Sequence, residues 1–257
     1  MKRTITYCLL ICLLFASSCG PNYISKTIAS FVGNYDIYDN ITLQQVDLKC
    51  AFICIHKAES VFQTGGTKEK RNKFKEISVK NGDLNYNGKV SGVDILALSS
   101  VAYPNVSSVK VSSLQDYNSN YPANSSLDGI TRFLSWSLNS FIKSGYKNVY
   151  NYSPAAVSSH FANYAGEYHT PDSYSQFSET PSIKPCFPID CLVKDLKSDD
   201  LKMLINFAGL YYDTTPGIGY LYFEELPDVP GDYDIKVEIT DENGKIYTST
   251  LTMKFDF

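Results

Sequence analysis

Apolar and polar residues alternate along several stretches of this chain, and a period of two is typical of β-strands with one buried face. A first stretch runs from Val46 to Cys54, and Tyr35 to Leu43 predicts a strand before it. Asn105 to Leu114 alternates again through Val109 and Val111. The last third adds further predicted strands, over 203–207, 220–223, 233–239 and 247–255.

The last two of these strands form a hairpin. Asp241-Glu242-Asn243-Gly244 separates them, and an Asn-Gly pair between alternating strands is a strong hairpin signal. This ending resembles the last two strands of immunoglobulin-like domains. The resemblance implies an immunoglobulin-like β-sandwich and carries no function with it.

One segment has a helical period instead. Apolar residues recur there at helical spacing, namely Leu127, Ile130, Leu134, Leu138 and Phe141. Ser125 with Asp128 has the spacing of a capping box and Gly145 that of a helix stop, so a helix is predicted over about 126–143. A shorter helix is predicted over about 154–165. Thr64 to Lys75 is predicted to be a solvated basic loop, followed by extended structure at Ile77 and Val79.

These elements predict a mostly-β fold with a minor α content, a sandwich with two helices inserted between the N-terminal and C-terminal strands. We expect one β-rich domain over residues 27–257. Two smaller β domains divided near residue 125 or 180 are the alternative.

The first residues predict export. Lys2 and Arg3 precede an apolar run from Ile5 to Phe15, which is about half the length of a membrane-spanning helix and fits a signal peptide. Ala16-Ser17-Ser18 then leads into Cys19, which resembles the lipobox of bacterial lipoproteins. An ordinary secretory signal with a chance cysteine is the alternative.

The lipobox resemblance implies that residues 1–18 are a signal peptide, that Cys19 carries acyl chains such as palmitate, and that 19–26 is a tether. The context is similar to uncharacterised Bacteroides-type (Bacteroidota) lipoproteins of the outer membrane. Lipoproteins of that group that reach the cell surface often carry an acidic run after the cysteine. Gly20 to Ser25 contains none, which favours a periplasm-facing position over a surface-exposed one.

The balance of acidic and basic residues limits the classes of partner that this chain is expected to bind. Without residues 1–18 the chain has 239 residues, with 21 basic and 27 acidic side chains. Because phosphate binding needs a basic surface, this acidic balance argues against nucleic acid as a partner. The expected partners are the membrane, through the lipid anchor, and an unknown protein or glycan.

Four cysteines lie outside the signal peptide and are candidates for disulfides: Cys50, Cys54, Cys186 and Cys191. Export permits disulfides, and four cysteines allow three connectivities. Four residues along a strand span roughly 13 Å, too far for a disulfide, so Cys50 and Cys54 are not expected to be bonded to each other. A zinc site with four cysteine ligands is the alternative.

One motif carries metal chemistry. Oxygen ligands fall at the spacing of a calcium loop, with Gly88 at the sharp turn: Asp83, Asn85, Asn87, the carbonyl of Lys89, Ser91 and Asp94. Aspartate at the twelfth position is similar to dockerin loops, which usually come in pairs, and no second loop occurs here. A β-hairpin through Asn81-Gly82 or Asn87-Gly88 is the competing interpretation.

No catalytic motif is present, so an enzyme is not expected. The histidines His56, His160 and His169 do not form a convincing site. The leading hypothesis is a non-enzymatic, lipid-anchored binding or scaffolding domain. The alternatives are a calcium-stabilised dockerin-like interaction module and a carbohydrate-binding or hydrolytic envelope protein. A stacking surface for the last would come from Tyr146, Tyr150, Tyr152, Tyr164 and Tyr168.

Overall fold

Strands make up most of the residues that the structure describes. The computed structural model describes residues 26–90, 100–148, 187–208 and 216–257. The elements are β1 (Lys26–Ile28), β2 (Asn34–Asp47), β3 (Cys50–Phe62), α1 (Lys68–Lys80), β4 (Gly88–Val90), β5 (Ser100–Tyr103), β6 (Val106–Ser113), β7 (Thr131–Ser137), α2 (Asn139–Lys143), β8 (Phe187–Leu192), β9 (Phe207–Ala208), β10 (Pro216–Phe223), β11 (Gly231–Asp241) and β12 (Ile246–Phe255). The mostly-β fold class is therefore confirmed.

The central layer is a seven-stranded sheet. Its order is β5-β2-β3-β10-β7-β8, and β9 pairs with β10. The β2–β5 pair is parallel and the other pairs are antiparallel. Because β10 lies between β3 and β7, strands from both sides of residues 125 and 180 share this one sheet.

A three-stranded sheet, β12-β11-β6, covers one face of the central sheet. The two sheets enclose the larger hydrophobic core, in which Ile53, Phe133 and Leu221 of the central sheet pack with Val237 and Phe255 of the smaller one. This is the sandwich that the alternating strands predict. Its immunoglobulin-like type stays a prediction.

Helices cover the opposite face. Phe74 and Ile77 of α1 and Phe141 of α2 pack in a second core against Phe52 of β3 and Trp136 of β7. The described helices therefore form a third layer on the central sheet. Neither is long and apolar enough to cross a bilayer.

The helix α1 corrects one expectation. Thr64 to Lys75 was expected to be a loop and Ile77 and Val79 extended, but Lys68–Lys80 is helical. The Thr67 side chain accepts a hydrogen bond from the Lys70 amide and caps the helix. Lys, Arg and Glu are good helix formers, and the buried spacing of Phe74, Ile77 and Ser78 supplies the face that packs on the sheet.

The predicted helix over 126–143 is wrong for most of its length. Thr131–Ser137 is the strand β7, and only Asn139–Lys143 is helical. Both faces of β7 are covered, because Phe133 lies in the core under the smaller sheet whereas Leu134 and Trp136 lie in the core under the helices, so its apolar residues do not alternate. Gly145 does end the helix, with φ of +68°. The helix expected over 154–165 lies outside the described residues.

The hairpin proposed through Asn81-Gly82 or Asn87-Gly88 is also wrong, because Ile77 and Val79 belong to α1. Gly88–Val90 instead pairs with β1 as a separate two-stranded sheet. The C-terminal hairpin is confirmed. Its turn has Gly244 at φ of +84°, and the Asp241 carboxylate accepts hydrogen bonds from the Asn243 and Lys245 amides at 2.7 and 3.0 Å.

Candidate functional site

A polar cleft lies where β7 ends, α2 begins and β8 starts. It has a volume of about 620 Å³. The lining side chains that can donate or accept hydrogen bonds include Ser137, Asn139, Lys143, Asn148, Asp190 and Asp200, and the apolar side is formed by Phe187, Pro188 and Ile189. The volume is in the range of small-ligand sites, but the lining is more polar than in pockets for apolar ligands.

An ion-pair chain fixes one wall of the cleft. The Asp199 carboxylate lies 2.5 Å from Lys143 Nζ and 2.9 Å from Lys202 Nζ. Asn139 Nδ2 donates to the Asp199 carbonyl at 2.7 Å. The hydrogen bond from Lys143, and then that from Lys202, lowers the pKa of the exposed Asp199 to about 2. The carboxylate is therefore charged throughout the physiological range.

Backbone capping fixes a second wall. Ser144 Oγ accepts hydrogen bonds from the Asn148 amide at 2.7 Å and the Lys147 amide at 3.1 Å. Asn148 Nδ2 donates to Ser140 Oγ at 2.9 Å. The polar groups at this end of the cleft are thus held in place before any ligand arrives.

Arg132 ties the base of the cleft to the central sheet. Its guanidinium lies 2.8 Å from Asp190 of β8 and 2.9 Å from Glu224, which follows β10. Burial alone would lower the pKa of Arg132, but the hydrogen bonds to Asp190 and Glu224 raise it above its usual value. This side chain is a permanent cation that links three strands.

Asp83, the first residue of the calcium motif, is fully buried. Its Oδ1 accepts hydrogen bonds from the Phe31 amide at 2.8 Å and the Tyr146 hydroxyl at 2.9 Å, and its Oδ2 accepts one from the Val32 amide at 2.9 Å. Burial raises the pKa of Asp83, and the three hydrogen bonds offset part of that shift. The carboxylate joins the β1–β2 loop to the segments that follow α1 and α2.

The structure does not bring the described members of the calcium motif into one environment. Asn85 and Asn87 are exposed whereas Asp83 is buried. Lys89 belongs to β4, while Ser91 and Asp94 lie outside the described residues. Within the described ranges no three His, Cys, Asp or Glu side chains group as metal ligands. Calcium binding stays a prediction.

A second buried carboxylate, which no sequence pattern indicated, is Asp36 on β2, which is 2 % exposed. Its oxygens accept hydrogen bonds from Ser60 Oγ at 2.5 Å, Ser100 Oγ at 2.6 Å and Asn206 Nδ2 at 2.5 Å. Lys57 Nζ lies 3.6 Å away. Because its carboxylate already accepts these hydrogen bonds, Asp36 joins β2, β3 and β5 and is not available to act on a substrate.

The cysteines on β3 lie as the strand pattern predicts. Cys50 and Cys54 are buried in the same core and are not bonded to each other. Burial raises the pKa of the Cys50 thiol, which makes it unreactive. Cys191 of β8 is half-buried at the edge of the cleft. Cys186 and Cys19 lie outside the described residues, so a disulfide to Cys186 and lipidation stay predictions.

Of the remaining sequence candidates, the two that the structure describes, His56 and Tyr146, do not line the cleft. His56 is exposed and its ring lies 2.9 Å from Thr42 Oγ1, while His160 and His169 lie outside the described residues. Tyr146 packs edge-on against Phe141 and Tyr86. The other four tyrosines of that proposed surface also lie outside the described residues.

Sequence reasoning missed the cleft because a single helix over 126–143 would run through Ser137 and Asn139, where the structure ends β7 and begins α2. No element is predicted for Asp199 and Asp200. The one available signal was the Lys-rich and Asp-rich stretch from Lys194 to Lys202, which marks an exposed turn with charges of both signs. No family model, no curated protein and no solved structure matches this chain.

Proposed function

We propose that this chain is a lipid-anchored, non-enzymatic binding protein of the cell envelope, and that the polar cleft holds its ligand. The observation that carries the proposal is the cleft itself. Its volume, about 620 Å³, suits a small ligand or one or two units of a polymer. The anchor is supported by the lipobox at Ala16 to Cys19.

The chemistry of the lining favours a hydroxyl-rich ligand such as a glycan. Asn139 and Asn148 offer amides, Asp200 a carboxylate and Lys143 an ammonium group, all of which exchange hydrogen bonds with hydroxyls. Pro188 and Ile189 supply an apolar surface for the carbon-bonded hydrogens of a sugar ring. A purely apolar ligand would leave the polar groups without partners, which costs binding energy.

The location proposed is the outer membrane, with the domain facing the periplasm. The absence of acidic residues between Gly20 and Ser25 supports that choice. Metabolic labelling with palmitate tests the anchor. Wild type and Cys12→Ser should incorporate label, whereas Cys19→Ser should not, because Cys12 lies within the apolar run and only Cys19 follows the lipobox.

A glycan array tests the ligand class. Any glycan bound by the wild type should lose at least about tenfold in affinity with Asn148→Ala or Asp200→Asn, since one hydrogen bond to a charged or well-placed group is worth roughly 1.4 kcal/mol or more. Asp232→Asn, on the exposed face of β11, is the matched control and should bind normally. Binding that survives both cleft substitutions would place the ligand elsewhere.

A further inference from the structure

The helix α1 carries charge of the opposite sign to the rest of the chain. Its 13 residues include six basic and two acidic side chains, a net charge of +4. The whole chain has a net charge of −4. Such a concentration on one exposed element makes a local positive field that the overall composition conceals.

One flank of α1 is neutralised by neighbouring strands. Lys73 Nζ lies 2.6 Å from the Glu59 carboxylate of β3, and Lys70 Nζ lies 3.9 Å from it. Lys80 Nζ lies 2.8 Å from Glu242 in the turn after β11. These pairs hold the helix against the sandwich and leave little positive field on that side.

The other flank keeps its charge. Lys68, Arg71 and Lys75 follow one another at intervals of three and four residues, which aligns them along one side of a helix. We call these three residues the basic stripe. Arg71 Nη1 donates to the Gly66 carbonyl at 2.6 Å. In the part of the chain that the structure describes, no carboxylate lies within 4.0 Å of any of the three.

The basic stripe lies beside the N-terminal end of the described chain. Arg71, Phe74 and Lys75 line a cavity of about 260 Å³ together with residues 27–30. Val79, one turn beyond Lys75, is 54 % exposed and extends the stripe with an apolar side chain. Cationic side chains next to exposed apolar ones are the composition of a surface that rests on lipid headgroups.

The short stretch of chain between Cys19 and Lys26 is also consistent with lipid headgroups as the partner of the basic stripe. Six residues, Gly20 to Ser25, separate Cys19 from Lys26, and the seven Cα–Cα steps between the two span at most about 25 Å when fully extended. A protein held this close to a bilayer must present some face to it. The face with the basic stripe lies beside residues 27–30, where the described chain begins, and groups three cations that have no carboxylate within 4.0 Å among the described residues.

We propose that the basic stripe binds the anionic phospholipid headgroups of the membrane that holds Cys19. This inference rests on the lipid anchor of the proposed function. Acyl chains and a basic surface are two independent membrane signals that reinforce each other. α1 and the three-stranded sheet cover opposite faces of the central sheet. With α1 against the bilayer, the three-stranded sheet therefore points away from it.

Lysine acetylation of the full lipidated chain in vesicles tests the proposal. Vesicles of phosphatidylcholine alone are compared with vesicles containing phosphatidylglycerol, and labelling is read by mass spectrometry. We expect Lys68 and Lys75 to react at least about threefold more slowly on the anionic vesicles, and molar salt to abolish the difference because it shortens the Debye length to about 3 Å. Lys110, exposed on β6, is the control and should react equally on both.

An Arg71→Glu variant sharpens the test, since it leaves both reporter lysines in place. In this variant the slowing of acetylation at Lys68 and Lys75 on anionic vesicles should become smaller. Lys110→Glu should leave that slowing unchanged. Flotation of the wild type with the vesicles is measured in parallel. Flotation with equal labelling of Lys68 and Lys75 on both vesicle types overturns the basic stripe alone, whereas failure to float overturns the proposed anchor.

Discussion

The hydroxyl of Tyr146 donates a hydrogen bond of 2.9 Å to the buried carboxylate of Asp83. Tyr146 follows α2 and Asp83 follows α1, so this bond links the two helices of the third layer. The aromatic rings of Phe31, Tyr86 and Phe141 surround it. Asp83 is thus a structural acceptor that the surrounding fold satisfies with three donors.

Asp83 should make stability depend on pH. Burial raises its pKa in the folded state, so the folded protein binds the proton more readily than the unfolded chain. The corresponding stabilisation is present below the unfolded pKa of about 3.9 and is lost as the pH rises through the folded pKa. We expect the difference in unfolding free energy between wild type and Asp83→Asn to decrease from pH 3 towards pH 7 in urea titrations. Tyr146→Phe removes a donor and should move the change to higher pH; a flat difference would contradict this account.

The contribution of Asp199 to stability should change with pH in the opposite direction to that of Asp83. Lys143 and Lys202 hold the pKa of its carboxyl at about 2, below that of the unfolded chain. Its favourable contribution is therefore present above about pH 3.9 and is lost as the pH falls through about 2. Carbon-13 NMR of the carboxyl group should show a midpoint near 2 that rises in Lys143→Ala and in high salt. Lys147→Ala, in the loop after α2, should leave the midpoint unchanged.

Removal of the Asp36 carboxylate should destabilise the central sheet. Asp36→Ala leaves the part-buried donors of Ser60, Ser100 and Asn206 without their acceptor. Leaving such donors unsatisfied costs about 1–3 kcal/mol. Urea unfolding should show this loss, while Asp39→Ala, exposed on the same strand, should stay within about 0.5 kcal/mol of wild type. If the two substitutions lowered the unfolding free energy equally, the hydrogen bonds of Asp36 would contribute nothing to stability.

Glycine on β10 allows aromatic rings to lie directly against the strand. A Cβ atom at Gly219 would lie 2.6 Å from the Phe133 ring, which is far inside van der Waals contact. We expect Gly219→Ala to lower the unfolding free energy by about 1–3 kcal/mol, the range of overpacked cores. Gly129→Ala is the matched control because its nearest neighbour, the Tyr121 hydroxyl, would lie 3.8 Å away.

The calcium interpretation makes a separate prediction. Saturation of a site at 100 times its dissociation constant adds about 2.7 kcal/mol, a rise of roughly 5–11 °C in Tm for a domain of this size. Asp94→Asn is the informative variant, because Asp83→Ala would also remove the bonds to Phe31, Val32 and Tyr146. The interpretation expects millimolar calcium, compared with EDTA, to raise the Tm of wild type and not of Asp94→Asn. An unchanged Tm in wild type would remove it.

Local patterns predicted the elements whose partners are near in sequence. The C-terminal hairpin was correct because Tyr233, Ile235 and Val237 alternate strictly and Asn243-Gly244 fixes the turn. The helix α1 was missed because only Phe74 and Ile77 give it an apolar side, and its many charges resemble a solvated loop. A helix packed on a sheet can bury so narrow a face only because the partner surface already exists.

The strand β7 shows the opposite difficulty. Phe133, Leu134 and Trp136 are all buried, since this strand has layers on both faces. A short continuous apolar run does not distinguish a strand from a buried helix. This segment is a strand because it pairs with β10, which is distant in sequence. The cleft was beyond sequence reasoning for a related reason. Lys143 and Asp199 lie 56 positions apart and meet only once the central sheet has formed.

The position of β10 in the middle of the central sheet constrains how the chain reaches its native state. During synthesis, β2 and β3 emerge first and can pair as a hairpin, but the other edge of β3 stays unpaired until Pro216–Phe223 has been made. Until then its unpaired amides and carbonyls are a template on which another chain can form β-structure. We therefore expect any product that stops before Pro216 to aggregate rather than fold, and a holding chaperone to be needed until β10 has been made.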